Sequence, residues 1–303
     1  MYTLQRFLLM TLDPVHIGTG GYRLGRADLS IAREPGTNLP KIPGTSLAGA
    51  ARSYAAMRYE KPGCAGQGGR DRPHCGNARC PICYTFGNTR GIEGGNAGTV
   101  SLADAQLLLF SVHSMAGPVW VSTEAQLRQA GFTVSAPDLG RGEFAATLVG
   151  WAKPLNLSWL LLDHKAGTVD VRLNGQAVQG WEDLASRLIL VEEGLFSQIV
   201  NSNLEVRTSV SIDPLTGAAK EGALFTYEAL PRAAWLWCDV VEDDYRPEAF
   251  PQDNTKAAEF GHQRPLDVVK GGLTLAEYLG IGGMGTRGFG RIKLMHDWEV
   301  NHA

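Results

Sequence analysis

The sequence predicts an α+β fold built on an antiparallel sheet. Three observations carry that expectation: strand-like apolar runs outnumber helical ones, strands and helices do not alternate in regular βαβ order, and no segment recurs at a fixed period. The chain has 303 residues, a length that one domain with insertions accommodates as well as two.

Residues 3–12 read as a strand, and HIGTGG (residues 16–21) breaks it with three glycines. A loop runs from there past Asp28 and Arg33 to KIPGTS (residues 41–46). Pro and Gly followed by Thr and Ser mark a helix start, with Thr45 or Ser46 as the expected cap. The helix offers Leu47, Ala50, Ala51, Tyr54 and Met57 as a buried stripe, with Arg52 and Arg58 elsewhere on its circumference.

Residues 61–98 hold ten glycines and four of the five cysteines, too few large apolar groups to fold around a core of their own. They read as a metal-tied insertion. TVSLADAQLLLFSVH (residues 99–113) is strand-like, and STEAQLRQ (residues 122–129) reads as a Ser-capped helix. Strands are expected within 155–171 and a helix over 181–198. The Asp213-Pro-Leu-Thr-Gly217 turn marks a hairpin within 200–232. A strand at 233–243, a short helix at 274–279 and a last strand at 288–295 complete the order.

Charge and hydropathy exclude several classes. The formal net charge is −3, so no global positive field holds nucleic acid, and any polyanion site must be a local basic surface. No segment approaches the roughly 18 apolar residues of a membrane span, and the N-terminal apolar run is too short for a secretory signal. A cytoplasmic protein with no membrane partner is the expectation.

In a reducing compartment the spacing Cys64-x10-Cys75-x4-Cys80-x2-Cys83 favours metal over disulfides. With His74 beside Cys75 it offers five candidates for a tetrahedral zinc that needs four. Four protein ligands leave no open position for water, so the expected role is structural.

His16, Asp28, Arg23, Arg26, Arg33 and Lys41 share one loop-rich stretch. Asp28 is either an ordinary turn or salt-bridge residue, or the carboxylate of a phosphodiester site. Nearby glycines let backbone approach an anion closely, and the following helix N-terminus presents free N–H groups.

GIGGMGTRGFG (residues 280–290) contains a formal G-x-G-x-x-G. Only thirteen residues follow Gly290, too few for the βα unit and acidic residue of a dinucleotide site. Bare backbone around Arg287, ahead of Arg291 and Lys293, suits an RNA sugar-phosphate chain; the alternative is a plain glycine turn.

PVHIGTG, ADLSIARE and LPKIPGTSLAGAAR, with GIGGMGTRGFGRIKL near the end, resemble in order the RAMP superfamily of CRISPR proteins, in particular the multi-copy backbone subunit of type III effector complexes. SLADAQLLLFSVHSMAGPVWVS and KEGALFTYEALPRAAWLW resemble its type III-B (Cmr) version, whereas the cysteine insertion is more similar to Csm-type subunits.

The resemblance implies an RRM-like (ferredoxin-like) palm with inserted finger and thumb elements, the hairpin in 200–232 being the thumb. It also implies a filament of copies along a CRISPR guide RNA, joined to other type III effector subunits. Such a subunit cleaves target RNA at regular intervals by 2′-hydroxyl attack with magnesium or manganese. Asp28 falls on the cleavage aspartate of that pattern, and His16, Tyr227 and Glu228 fall near it. The implied RNA contacts are Gly18, Gly20, Arg33, Lys41, Ser46, Arg52, Arg58, Gly282, Gly283 and Arg287, with Arg33 offsetting charge on the phosphorane. The alternatives are a purely structural guide-binding subunit of the same kind of complex and the Csm-type (III-A) counterpart.

Overall fold

The computed structural model describes residues 2–22, 27–66, 74–77, 79–88, 95–173, 178–245 and 250–300. Arg23, Arg26 and parts of the cysteine insertion therefore lie outside the described residues. The chain divides into two compact units, one formed by residues 1–12, 42–105 and 237–303, the other by residues 13–41 and 106–236.

In the first unit, β1 (Thr3–Thr11) lies between β17 (Ile292–Glu299) and β16 (Trp235–Glu242), and β5 (Val100–Leu102) pairs with β16. The β1–β17 and β16–β5 pairs are antiparallel. Helices α1 (Gly44–Arg58) and α7 (Pro265–Leu279) follow β1 and β16 in the chain, giving the order βαββαβ. The two helices meet at Gly272, where a Cβ would stand 2.2 Å from the Ala51 carbonyl oxygen, so only glycine allows this approach. Two shorter helices, α2 (Pro81–Phe86) and α6 (Thr255–Phe260), complete the unit.

The second unit contains a strand ring. Its members are β6 (Ala105–Ser114), β7 (Gly117–Ser122), β9 (Glu143–Ala146), β10 (Leu155–Leu157), β11 (Leu160–His164) and β13 (Leu188–Val191). The pairing order β6-β7-β13-β9-β11-β10 closes when Leu157 of β10 pairs with Ser114 of β6. Leu109, Val121, Phe144, Leu157, Leu162 and Ile189, one from each strand, are buried. The β7–β13 and β9–β11 pairs are parallel, so this ring departs from the expected antiparallel sheet, which the β1–β17 and β16–β5 pairs of the first unit keep.

A second sheet in this unit has the order β14-β15-β3-β2, made of β14 (Glu205–Ile212), β15 (Ala219–Ala229), β3 (Leu29–Ile31) and β2 (Gly18–Tyr22). The β14–β15 hairpin turns where the Asp213 carboxylate accepts from the Leu215 N–H and Gly217 adopts φ +68°. Elsewhere β8 (Phe132–Ser135) pairs with β12 (Asp170–Leu173), and the two-residue β4 (Lys41–Ile42) lies where the chain passes from one unit to the other.

Three local expectations are corrected. The 181–198 stretch is not one helix: α4 (Trp181–Ala185) and α5 (Glu193–Ser202) flank β13. Leu188, Ile189, Leu190 and Val191 are all buried, a continuous apolar run whose periodicity does not separate strand from helix. Helix α3 (Glu124–Gln129) is capped by Thr123, which accepts from the Gln126 N–H, while the Ser122 hydroxyl donates to the Leu108 carbonyl. Helix α1 is capped at Pro43 rather than Thr45 or Ser46, and a distant carboxylate, Asp104, takes the Gly44 N–H at 2.7 Å.

Candidate functional site: a strand clasp, a cysteine cluster and a glycine loop

Three consecutive residues of β15 organise the loop that carries Asp28. Tyr227 pairs with Leu29 of β3 in parallel register, which brings Thr226 alongside Asp28. The Thr226 backbone N–H donates to Asp28 Oδ2 at 2.7 Å, and its hydroxyl donates to the same oxygen at 2.9 Å. The Asp28 N–H in turn donates to the Thr226 hydroxyl oxygen at 3.0 Å. Asp28 is exposed, and the backbone N–H of Thr226, then its hydroxyl, hold the carboxyl below its ordinary value. It is a carboxylate at neutral pH.

Glu228, two residues on and so on the same face of the strand, pairs with Arg33 at 2.8 Å. Their side chains are only 9% and 12% exposed. The same guanidinium donates to Asn201 Oδ1 and to the Ile31 carbonyl, each at 3.0 Å. Arg33 is thus an internal tie between β3, α5 and β15, and the expectation that it faces a phosphorane is corrected. The Glu228 backbone carbonyl sits 2.6 Å from His16 Nδ1. A carbonyl only accepts, so Nδ1 carries the hydrogen. His16 is buried with its ring edge-on to buried Tyr227, and a Cβ at Gly18 would stand 3.2 Å from its Nε2. His16 therefore braces the glycine segment, and Gly20, at φ +77°, has open space around it. Lys41 pairs with Glu34 at 3.0 Å.

Thr226 and Asn201 were not foreseen. Thr226 was legible in principle: in TYE, alternation puts it on the face that Glu228 shares. Its partner, 198 positions earlier, carries no local signal.

The cysteine cluster lies in the other unit. Cys64 ends a 3₁₀ turn (Pro62–Cys64), Cys80 caps α2, and Cys83 stands one turn inside that helix. The sulfurs of Cys64 and Cys80 are 3.8 Å apart, those of Cys75 and Cys83 3.6 Å, and those of Cys64 and Cys83 3.7 Å. All four lie within 4.8 Å of one another. Four thiolates about 2.3 Å from a central zinc ion have tetrahedral edges of about 3.8 Å, so the donor set fits such an ion. Cys64, Cys80 and Cys83 are buried and pack with Ala55 and Ala56 of α1, with Tyr59 just after it and with Val268 of α7. The insertion thus gains from the helices the apolar bed that its own composition lacks.

His74 is not part of this cluster. Its Nδ1 lies 3.1 Å from an Arg52 guanidinium nitrogen, and its Nε2 lies 3.0 Å from the Gly66 carbonyl oxygen. Arg52 also donates to the carbonyls of Cys64 and Phe86. Arg58 donates to the Gly271 carbonyl at 3.0 Å and covers the Phe260 ring at 4.5 Å. Both arginines, expected at an RNA surface, are internal ties of this unit.

The glycine loop closes at a neck. Ile281 N–H donates to the Gly290 carbonyl at 2.9 Å. Gly290 has φ +98°, and a Cβ there would stand 2.3 Å from the Ile281 carbonyl oxygen. The Tyr54 hydroxyl donates to the Gly280 carbonyl. Beyond the neck Gly282, Gly283 and Arg287 are exposed, while Ser46, at the start of α1, is half-buried.

A family profile described as the RAMP superfamily matches residues 8–293, and the chain belongs to that superfamily. Among curated proteins it is similar to one named CRISPR system Cmr endoribonuclease Cmr4, from Pyrococcus furiosus, at 26% identity over 94% of this chain and 93% of that protein. Its fold is shared with oligomeric Cmr4 from Pyrococcus furiosus, with a TM-score of 0.61 at 19% identity over 99% of each chain. It is also shared with a chain of the type III-B Cmr-beta complex bound to cognate target RNA, with a TM-score of 0.64 at 16% identity over 96% of each chain. Among the described residues no helix is long and apolar enough to cross a membrane.

Proposed function

We propose that this chain is the guide-RNA-binding backbone subunit of a type III-B CRISPR effector complex, repeated along the guide with other subunits of that complex, and that it cleaves complementary target RNA. The observation that carries the reading is the presentation of Asp28: an exposed carboxylate fixed through one oxygen, with Oδ1 unbonded among the described residues. The similarity to a protein named as the Cmr endoribonuclease supports it. The βαββαβ order of the first unit supports an RRM-like palm, and the β14–β15 hairpin the reading of residues 200–232 as a thumb.

Asp28 is the one predicted cleavage residue whose side chain is exposed; His16, Tyr227 and Glu228 are buried around it as supports. Magnesium or manganese is commonly held by one or two carboxylates together with substrate phosphates, so Asp28 fits such an ion only with RNA in place. The bound ion supplies charge neutralisation at the scissile phosphate. Asp28, ionised at neutral pH, orients the attacking 2′-hydroxyl or accepts its proton, and in-line geometry comes from the kink of the target strand. Gly18, Gly20, Lys41, Ser46, Gly282, Gly283 and Arg287 supply backbone and charge for phosphates, with base pairing choosing the sequence. Arg33, Arg52 and Arg58 act through the loops they hold. Zinc is the ion assigned to Cys64, Cys75, Cys80 and Cys83, in a structural role.

The test is cleavage of a complementary transcript by guide-loaded complex carrying Asp28→Asn. Assembly unchanged and cleavage reduced by about 10²-fold or more is expected. Undiminished cutting overturns the assignment of Asp28, and absence of cutting by the parent guide-loaded complex with magnesium leaves the alternative, a structural guide-binding subunit.

A further inference from the structure

We infer that Thr226 is a positioning residue for Asp28, its hydroxyl fixing the direction in which the carboxylate presents Oδ1. The inference rests on the proposed cleavage role of Asp28.

The geometry determines the hydroxyl's orientation. An N–H can only donate, so the Asp28 N–H at 3.0 Å occupies a lone pair of the Thr226 oxygen. The hydroxyl hydrogen is then directed to Asp28 Oδ2, 2.9 Å away. With the Thr226 N–H on the same oxygen at 2.7 Å, two donors converge on Oδ2 and, among the described residues, none on Oδ1. The hydroxyl thus ties the backbone of Asp28 to its own carboxylate, fixing the side-chain torsions of an exposed residue that packing does not hold. A carboxylate with free torsions sweeps its second oxygen over several ångströms, and a misplacement of about 1 Å is enough to cost on the order of 10²-fold in a positioned reaction.

The same strand secures the rest of the loop through Glu228, which binds Arg33 by its side chain and His16 by its carbonyl. Residues 226 and 228 therefore divide the work: Glu228 anchors the loop's frame, and Thr226 aims the one exposed acid. Because β15 is also an arm of the hairpin ending at residues 213–217, whatever displaces that hairpin displaces the carboxylate's support.

Valine is the discriminating substitution. It matches threonine in shape and strand preference, keeps the backbone N–H to Oδ2, and lacks only the hydroxyl; Thr226 is half-buried, so the fold tolerates it. Guide-loaded complexes carrying Thr226→Val, Thr226→Ser and Asp28→Asn are compared for single-turnover cleavage of a complementary RNA and for affinity toward it. Thr226→Val is expected to slow cleavage 10- to 100-fold with affinity unchanged, and Thr226→Ser to stay within about threefold of the parent. Parental cleavage by Thr226→Val, while Asp28→Asn is inactive, overturns the inference and leaves the cleavage reading standing. Equal slowing by Ser, which keeps the hydroxyl, and by Val, which lacks it, also overturns it, because the loss then does not follow the hydroxyl. Active Asp28→Asn overturns the cleavage reading itself, and the inference with it.

Discussion

The cysteine cluster and the Asp28 loop solve the same problem, holding an irregular segment in place, by opposite means. At the cluster, four sulfurs drawn from one twenty-residue stretch converge within 4.8 Å of one another, and α1 and α7 supply the bed. At the loop no ligand set exists among the described residues; the chain is held by neutral and charged hydrogen bonds from a strand 198 and 195 positions away. The first arrangement is a donor set that could hold a metal, and strong local bonds to such an ion would be its source of stability. The second depends on the whole unit being folded, and in return leaves one carboxylate exposed.

The largest expected effect separates the two. Cys83→Ser should abolish the bound metal and lower the melting temperature by about 10 °C or more, since loss of a structural ion removes several kcal/mol at about 2 °C or more each. Metal analysis and a thermal melt on the purified chain check this; retention of one equivalent of zinc with an unchanged melt would break the comparison. Glu228→Ala should come next. It leaves the Arg33 guanidinium buried without its carboxylate and is expected to cost about 3 kcal/mol while metal content stays unchanged.

The smallest effect concerns Glu242, in the cluster's unit. Burial pushes its carboxyl above the ordinary 4.5, with Arg264 opposing the shift. A carboxyl raised on folding contributes stability that is full below its unfolded pKa and is lost as pH rises through the folded one. Glu242→Gln should therefore melt above the parent at about pH 8, by about 1 kcal/mol or less, with the difference closing near pH 4. A melt series across that range decides it.

How much was legible follows the same division. Cys64, Cys75, Cys80 and Cys83 were readable because ligand chemistry is local in sequence; only the geometry showed that His74 bonds Arg52 and Gly66 instead. The hairpin turn at Asp213 and the first strand were readable from turn chemistry and apolar pattern. The interruption of 181–198 by β13 was not, because a four-residue apolar run fits either period. Closure of the strand ring was invisible, since it rests on pairings such as Leu157 with Ser114 that no short window contains. For Arg33, Arg52 and Arg58, composition gave charge but not direction, and each turns inward to a carboxylate, carbonyl or ring.

The closed ring has a further consequence. A sheet that ends in a free strand offers an unpaired row of amides to any neighbour, and chains can zip together there without much discrimination. A ring whose last strand returns to its first has no such seam. A copy of the chain that docks on this part of the surface must be recognised by its side chains, so contacts there are editable one residue at a time and separable without unravelling either molecule.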